Sequence, residues 1–171
     1  MQNKVAHTLA RSFAGLDFAA LRFNFRGVGA SDGSFDNGVG EIQDALAATA
    51  WLRGEFPHLS LWLGGFSFGA AMAIHAAVTF SPAGLVSVAP AAARFANALP
   101  QQPACPWLIV QGDQDELVPI EETIAWVNGL DPGPELVVFP GTEHFFHGKL
   151  VDLRETVQDF VRRNVRNDDN P

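Results

Sequence analysis

The stretch LWLGGFSFGAAMAIHAA, residues 61–77, contains an apolar run, a G-x-S-x-G pattern and an alanine-rich helical pattern in direct succession. The pattern covers Gly65–Gly69 and has Ser67 at its centre. A strand that leads straight into this turn and a helix that leads straight out predict a nucleophile elbow, which exposes the serine hydroxyl. The alternative is that Ser67 only caps the helix. The strand–turn–helix context favours the elbow.

The same alternation of apolar strands and helices continues along the whole chain, beginning with a helix predicted over residues 3–15. Such a pattern predicts an α/β fold with a parallel sheet of about five strands, flanked by helices on both faces. We expect one domain over residues 1–166 and a disordered tail over residues 167–171. The predicted strands are Phe18–Phe25, Leu59–Gly65, Leu85–Ala89, Pro106–Gln111 and Glu135–Phe139.

The composition excludes several classes of protein. Hydrophobic residues make up 47% of the chain, which is enough to bury a core and argues against disorder. A net charge of −8 without a basic cluster argues against nucleic-acid binding. No apolar stretch is long enough to span a membrane. The single cysteine, Cys105, is expected to be a buried structural thiol, and the default expectation is a cytoplasmic protein.

An activated serine needs a histidine base that is oriented by a carboxylate, and in this fold the acid precedes the histidine in the chain. The loop after the fourth predicted strand offers Asp113, Asp115 and Glu116, and the loop after the last strand offers His144 and His147. Both loops should lie on the rim that carries the serine. The two histidines could instead bind a metal, but no further ligands stand at suitable spacing, so we expect neither metal nor cofactor.

Four segments together resemble a group of small bacterial α/β-hydrolases that are related to dienelactone hydrolases and often described as esterases. They are Leu21–Gly29, the elbow Gly64–Gly69, the loop Gly112–Pro119 and the segment His144–Leu150. The resemblance covers nearly the whole chain. It implies that Asp115 is the acid, that His144 is the base, and that the N–H of Phe68 contributes to the oxyanion hole.

The resemblance also implies a difference at the N-terminus. Members of the family have further strands and a His-Pro-His-Pro-type loop before the segment that matches Met1–Val5, and that loop supplies the second oxyanion donor. One of those strands would lie between Phe18–Phe25 and Leu59–Gly65. We therefore expect an N-terminally truncated sheet, in which these two strands either close up or expose unpaired backbone groups.

These observations predict a serine hydrolase that acts on small ester or thioester substrates by acyl transfer through Ser67, His144 and Asp115. Its expected partner is a small-molecule ester. The alternative is a catalytically impaired fragment, or a non-catalytic binding protein that keeps the triad sequence.

Overall fold

A computed structural model of the chain describes residues 3–95 and 101–168. Its centre is a four-stranded parallel sheet with the strand order β1-β2-β3-β4. The parallel sheet between two helical layers confirms the predicted fold class. In chain order the elements are α1 (Lys4–Ala14), α2 (Val39–Glu55), β1 (Trp62–Phe66), α3 (Phe68–Phe80), β2 (Gly84–Val88), α4 (Ala92–Phe95), β3 (Trp107–Gly112), α5 (Ile120–Val127), β4 (Glu135–Phe139) and α6 (Leu150–Asp168).

The sheet divides the core into two apolar clusters. One face packs against α1 and α6, through side chains such as Leu9 and Val157. The other face packs against α3 and α5, α2 packs in turn against α3, and Ile74 is among the fully buried side chains of this cluster. Strands β2 and β3 are buried along their full length, as continuous apolar runs in a covered parallel sheet should be. Consecutive strands joined by helices therefore align their carboxyl ends along one rim.

The first predicted strand is wrong. Residues 18–25 belong to no strand within the described part of the chain, and several of their side chains are exposed. A cavity of about 810 Å³ separates them from β1, and both helical layers contribute to its walls. Only the ends of the segment touch the core, where Phe18 packs edge-on against Trp62 and Phe25 against Phe68. The segment and β1 have therefore not closed up, and without an adjacent strand the apolar run forms no ladder.

Smaller differences concern the ends of elements. The short helix α4 was not predicted from the sequence. Helix α6 continues through Asp168, two residues into the segment predicted to be a tail, and residues 169–171 lie outside the described residues. The boundary between domain and tail stays a prediction. No helix in the ranges 3–95 and 101–168 combines the length and the hydrophobicity needed to cross a bilayer.

Candidate active site

Ser67 occupies the sharp turn between β1 and α3. Its backbone has φ 53° and ψ −117°, which lies outside the regions that non-glycine residues normally occupy. The N-cap alternative requires the Ser67 side chain to cap α3, but it makes no capping hydrogen bond. The strain is held in place by backbone bonds, because Ser67 N donates to Val88 O at 2.8 Å and Ala70 N donates to Ser67 O at 3.1 Å. A strained, over-determined serine of this kind is typical of a functional site.

Glycine is required at the start of the elbow. A Cβ atom on Gly65 would overlap the backbone carbonyl of Gly69, because the strand and the first turn of α3 approach each other so closely. A side chain at this position would push the two apart. The first glycine of the pattern therefore permits the tight turn that presents Ser67.

His144 lies between Ser67 and Asp115. Its Nε2 is 3.1 Å from Ser67 Oγ, and its Nδ1 is 2.8 Å from Asp115 Oδ2 and 3.0 Å from Oδ1. The residue is only 2% exposed, and its ring packs against Phe66 and Phe145 at centroid distances of 4.8 and 5.1 Å. With Nδ1–H donated to the carboxylate, Nε2 is free to accept the proton of the serine.

His147 is placed differently. Its side chain is 67% exposed and pairs with Glu143 four residues earlier. The two histidines that the sequence left open as the base are thus distinguished by their surroundings, and the structure brings His144 to Ser67. No three His, Cys, Asp or Glu side chains in the described ranges are grouped so as to hold a metal ion.

The Asp115 carboxylate is buried and densely hydrogen-bonded. Burial acts to raise the pKa of Asp115, but the hydrogen bonds donated by His144 and by the backbone N–H groups of Val118 and Leu117 outweigh it and lower the pKa. Both backbone donors reach Oδ1, at 2.7 and 2.9 Å. The acid therefore remains ionised at neutral pH and accepts the Nδ1–H of His144.

The other two carboxylates of the acid loop bind the base loop. Asp113 Oδ1 accepts the N–H of Thr142 at 3.4 Å, and Glu116 Oε2 accepts the N–H of His144 at 3.2 Å. A Cβ atom on Gly112 would overlap the carbonyl of Thr142, so glycine is needed for the two loops to lie this close. Of the three candidate acids, only Asp115 meets the imidazole, while the other two stabilise the loop that carries it.

Phe68 stands at the first position of α3. Its N–H is among those that a helix cannot satisfy internally, and it lies at the positive end of the helix dipole. Its ring packs against Phe25, Phe35 and Phe95, at centroid distances of 5.5, 5.8 and 5.0 Å. The backbone next to Ser67 is thus available to a ligand, and the role of this N–H as an oxyanion donor stays a prediction.

Sequence reasoning missed two neighbours of the site. Phe66, the last residue of β1, covers one side of the imidazole. Gln111 is fully buried and donates through Nε2 to Asp115 Oδ2 at 2.9 Å. The available signal was a polar residue near the end of an otherwise apolar strand, directly before the acid loop.

Cys105 lies away from these residues, in the apolar cluster beneath α3 and α5. Burial raises the pKa of its thiol to about 11, so little thiolate is present at neutral pH. A nucleophilic cysteine requires the opposite shift. The structure therefore gives this thiol the environment of a packing residue.

Comparisons with known proteins bear on the family and the fold of the chain. The family model for the X-Pro dipeptidyl-peptidases of the S15 family matches residues 2–99, more than half of the chain. An uncharacterized protein of Rickettsia prowazekii is 31% identical over 171 positions, covering 94% of this chain and 72% of that protein.

Two solved structures resemble this chain over nearly its whole length. An α/β serine hydrolase homologue from Coxiella burnetii is 47% identical with a TM-score of 0.86, and covers 93% of this chain and 76% of its own. A serine hydrolase without a lid from Xanthomonas campestris is also 47% identical, with a TM-score of 0.90 and coverages of 95% and 74%. The chain thus spans about three quarters of these relatives, and the expected resemblance is confirmed. It belongs to the α/β-hydrolases, in the family that the S15 model describes.

Proposed function

We propose that this protein hydrolyses small ester or thioester substrates by acyl transfer, with Ser67 as nucleophile, His144 as base and Asp115 as the orienting acid. The observation that carries the proposal is the unbroken hydrogen-bonded series from Ser67 Oγ through both ring nitrogens of His144 to the ionised Asp115. A serine hydroxyl is a poor nucleophile until a base removes its proton, and this series provides that base.

The arrangement supports a two-step reaction. Ser67 Oγ attacks the carbonyl carbon while its proton moves to His144 Nε2, and the developing oxyanion is stabilised by the N–H of Phe68. His144 then gives the proton to the leaving alcohol or thiol, and an acyl-serine remains. A water molecule, deprotonated by the same nitrogen, hydrolyses the acyl-serine and restores the enzyme. Asp115 stays ionised throughout and stabilises the transient imidazolium.

The S15 model describes peptidases, and the same steps would cleave a peptide bond. We favour esters because an alcohol or thiol leaves more readily than an amine. The departure of an amine requires that the amine is protonated as the bond breaks and that the oxyanion is fully stabilised. The proposal assigns one oxyanion donor within the described residues, the N–H of Phe68, which follows Ser67 at the start of α3. Loss of a single donor costs on the order of a hundredfold in rate, so a site with one donor favours the easier bond.

The proposal is tested with a fluorophosphonate probe, which reacts only with activated serines. We expect labelling of the wild-type chain at Ser67, full loss of labelling in Ser67→Ala, and unchanged labelling in the matched control Cys105→Ala. Hydrolysis of p-nitrophenyl acetate should follow the same order and exceed that of an X-Pro p-nitroanilide. An unlabelled wild-type chain would support the alternative of an impaired fragment or binding protein. Equal loss in both variants would mean that the nucleophile is misassigned.

A further inference from the structure

Gln111 is a buried polar side chain at the site that the reaction steps do not use. It lies near the carboxyl end of β3 and is 0% exposed, one residue before the glycine that lets the two loops approach each other. An amide placed there must find partners for both its N–H groups and its carbonyl. Those partners determine which group Gln111 acts on.

The hydrogen bonds of Gln111 lead to the acid and to helix α5. Its Nε2 donates to Asp115 Oδ2 at 2.9 Å and to Val118 O at 3.0 Å, and its Oε1 accepts the hydroxyl of Thr123 at 3.3 Å. Turned the other way, the amide oxygen would face two acceptors. The network therefore fixes the orientation of the amide, and Thr123 connects it to α5.

Gln111 completes the set of donors around the carboxylate. Leu117 N and Val118 N bond to Oδ1, His144 Nδ1 reaches both oxygens, and Gln111 Nε2 bonds to Oδ2. Without the amide, Oδ2 would lack its second donor, and only the two backbone N–H groups on Oδ1 would oppose a turn of the carboxylate about its Cβ–Cγ bond. That rotation would move the acceptor away from Nδ1.

We propose that Gln111 is a positioning residue of this site, which holds the Asp115 carboxylate against His144 without neutralising its charge. The inference rests on the proposed function of Ser67, His144 and Asp115. A cation at position 111 would hold the carboxylate equally well, but it would oppose the imidazolium that forms during the reaction. A neutral donor supplies the orientation and leaves the negative charge available to His144.

The test compares Gln111→Met, which removes the donor at similar volume, with Ser87→Ala. Ser87 is equally buried on β2 and bonds to Trp107 Nε1 at 3.0 Å, so its loss disturbs a buried polar pair away from the acid. We expect Gln111→Met to lower kcat roughly tenfold with KM unchanged. We expect Ser87→Ala to lower the melting temperature without changing kcat.

A second variant and a spectroscopic readout separate positioning from simple stability. In Gln111→Glu the new carboxyl group faces two acceptors, Asp115 Oδ2 and Val118 O, so it should keep its proton and donate as the amide does. We therefore expect Gln111→Glu to keep kcat within about threefold of the wild type near neutral pH. The NMR signal of the His144 Nδ1–H, in protein with 15N-labelled histidine, should be sharp in the wild type and in Ser87→Ala, and broadened in Gln111→Met.

Each outcome bears on one proposal. If the Nδ1–H signal and kcat stay unchanged in Gln111→Met while the melting temperature falls, Gln111 is a packing residue only and the inference is wrong. The NMR signal does not require turnover. An unreactive Ser67 together with a signal that depends on Gln111 would therefore contradict the proposed function and leave the positioning role supported.

Discussion

The loops that follow β3 and β4 and the outer edge of β1 differ in how their polar groups are satisfied. Between the loops, Asp113 and Glu116 accept backbone N–H groups of the segment that carries His144. At β1, Leu61 O and Ser67 N bond to the β2 side, so the alternate residues Trp62, Gly64 and Phe66 direct their N–H and C=O groups toward the cavity of about 810 Å³. The two loops are joined by hydrogen bonds, whereas the polar backbone groups at this edge of β1 face the cavity.

The difference shows which parts of the fold the candidate site depends on. Ser67 is held through Val88 on β2, His144 is held through Glu116 of the acid loop, and Asp115 is held by its own loop and by His144. All three anchors lie on the paired side of β1. The site geometry can therefore form while the far side of β1 lacks a neighbouring strand. We expect the open edge to limit stability more than it limits the alignment of the three side chains.

The largest effect on activity is expected from His144→Ala, in the hydrogen-bonded loops. Loss of the base should lower kcat for p-nitrophenyl acetate by about ten-thousandfold or more, because the serine then keeps its proton. The matched control His147→Ala removes an exposed ring of the same kind and should change kcat less than about twofold. Steady-state kinetics at saturating substrate measure both. A larger loss in His147→Ala would reverse the assignment of the base.

Hydrogen exchange should show the contrast between the two regions directly. Amides of β2 and β3 lie in a fully buried ladder and should exchange only through large-scale unfolding. Amides of residues 19–23, which belong to no strand of the described chain, should exchange about a thousandfold faster or more. Mass spectrometry of peptic fragments provides the measurement. Equal protection in both segments would show that the segment is paired in solution, and the comparison would fail.

A strand added beside the open edge of β1 should remove the difference between the two regions. An extension ahead of Met1 that places one apolar strand between residues 18–25 and β1 should pair the open groups. It should raise the melting temperature by roughly 5–10 °C, which corresponds to a gain of about 2–3 kcal/mol. Turnover of p-nitrophenyl acetate should also rise, by up to about a hundredfold if the extension adds an oxyanion donor.

The control for this experiment is the same extension with proline at alternate positions, because proline cannot donate to a ladder. Calorimetry and ester turnover are measured for the original chain and for both extended forms. If the original chain matches the strand-forming extension in both quantities, the open edge lowers neither stability nor turnover and the contrast between the two regions fails.

Much of the fold could be predicted from local patterns. The elbow around Ser67 is a strand, a glycine-flanked serine and a helix in direct sequence, and each part is visible in the residues themselves. Strand β4, Glu135–Phe139, was predicted with the same bounds that the structure shows. Buried parallel strands are continuous apolar runs and the covering helices repeat with their own period, so both signals lie within short windows.

Residues 18–25 show where such windows fail. Their apolar character is suited to a strand, but a strand exists only where a neighbour offers hydrogen bonds, and the pattern carries no information about that neighbour. Here the cavity beside β1 separates the segment from the sheet, so it remains unpaired. The segment is apolar, as a buried strand would be, but the predicted pairing with a neighbouring strand is wrong.

At the candidate site, the kinds of side chain and their order along the chain could be predicted from local motifs: a serine, then acidic residues, then histidines. The residues alone left three carboxylates and two histidines open, and gave no role to Gln111. The choice among them depends on long-range packing, because Asp115 and His144 are 29 residues apart in the chain and meet only where the packed sheet aligns the ends of β3 and β4. Hydrogen bonds depend on distance and angle to within a few tenths of an ångström, and only the assembled fold sets these.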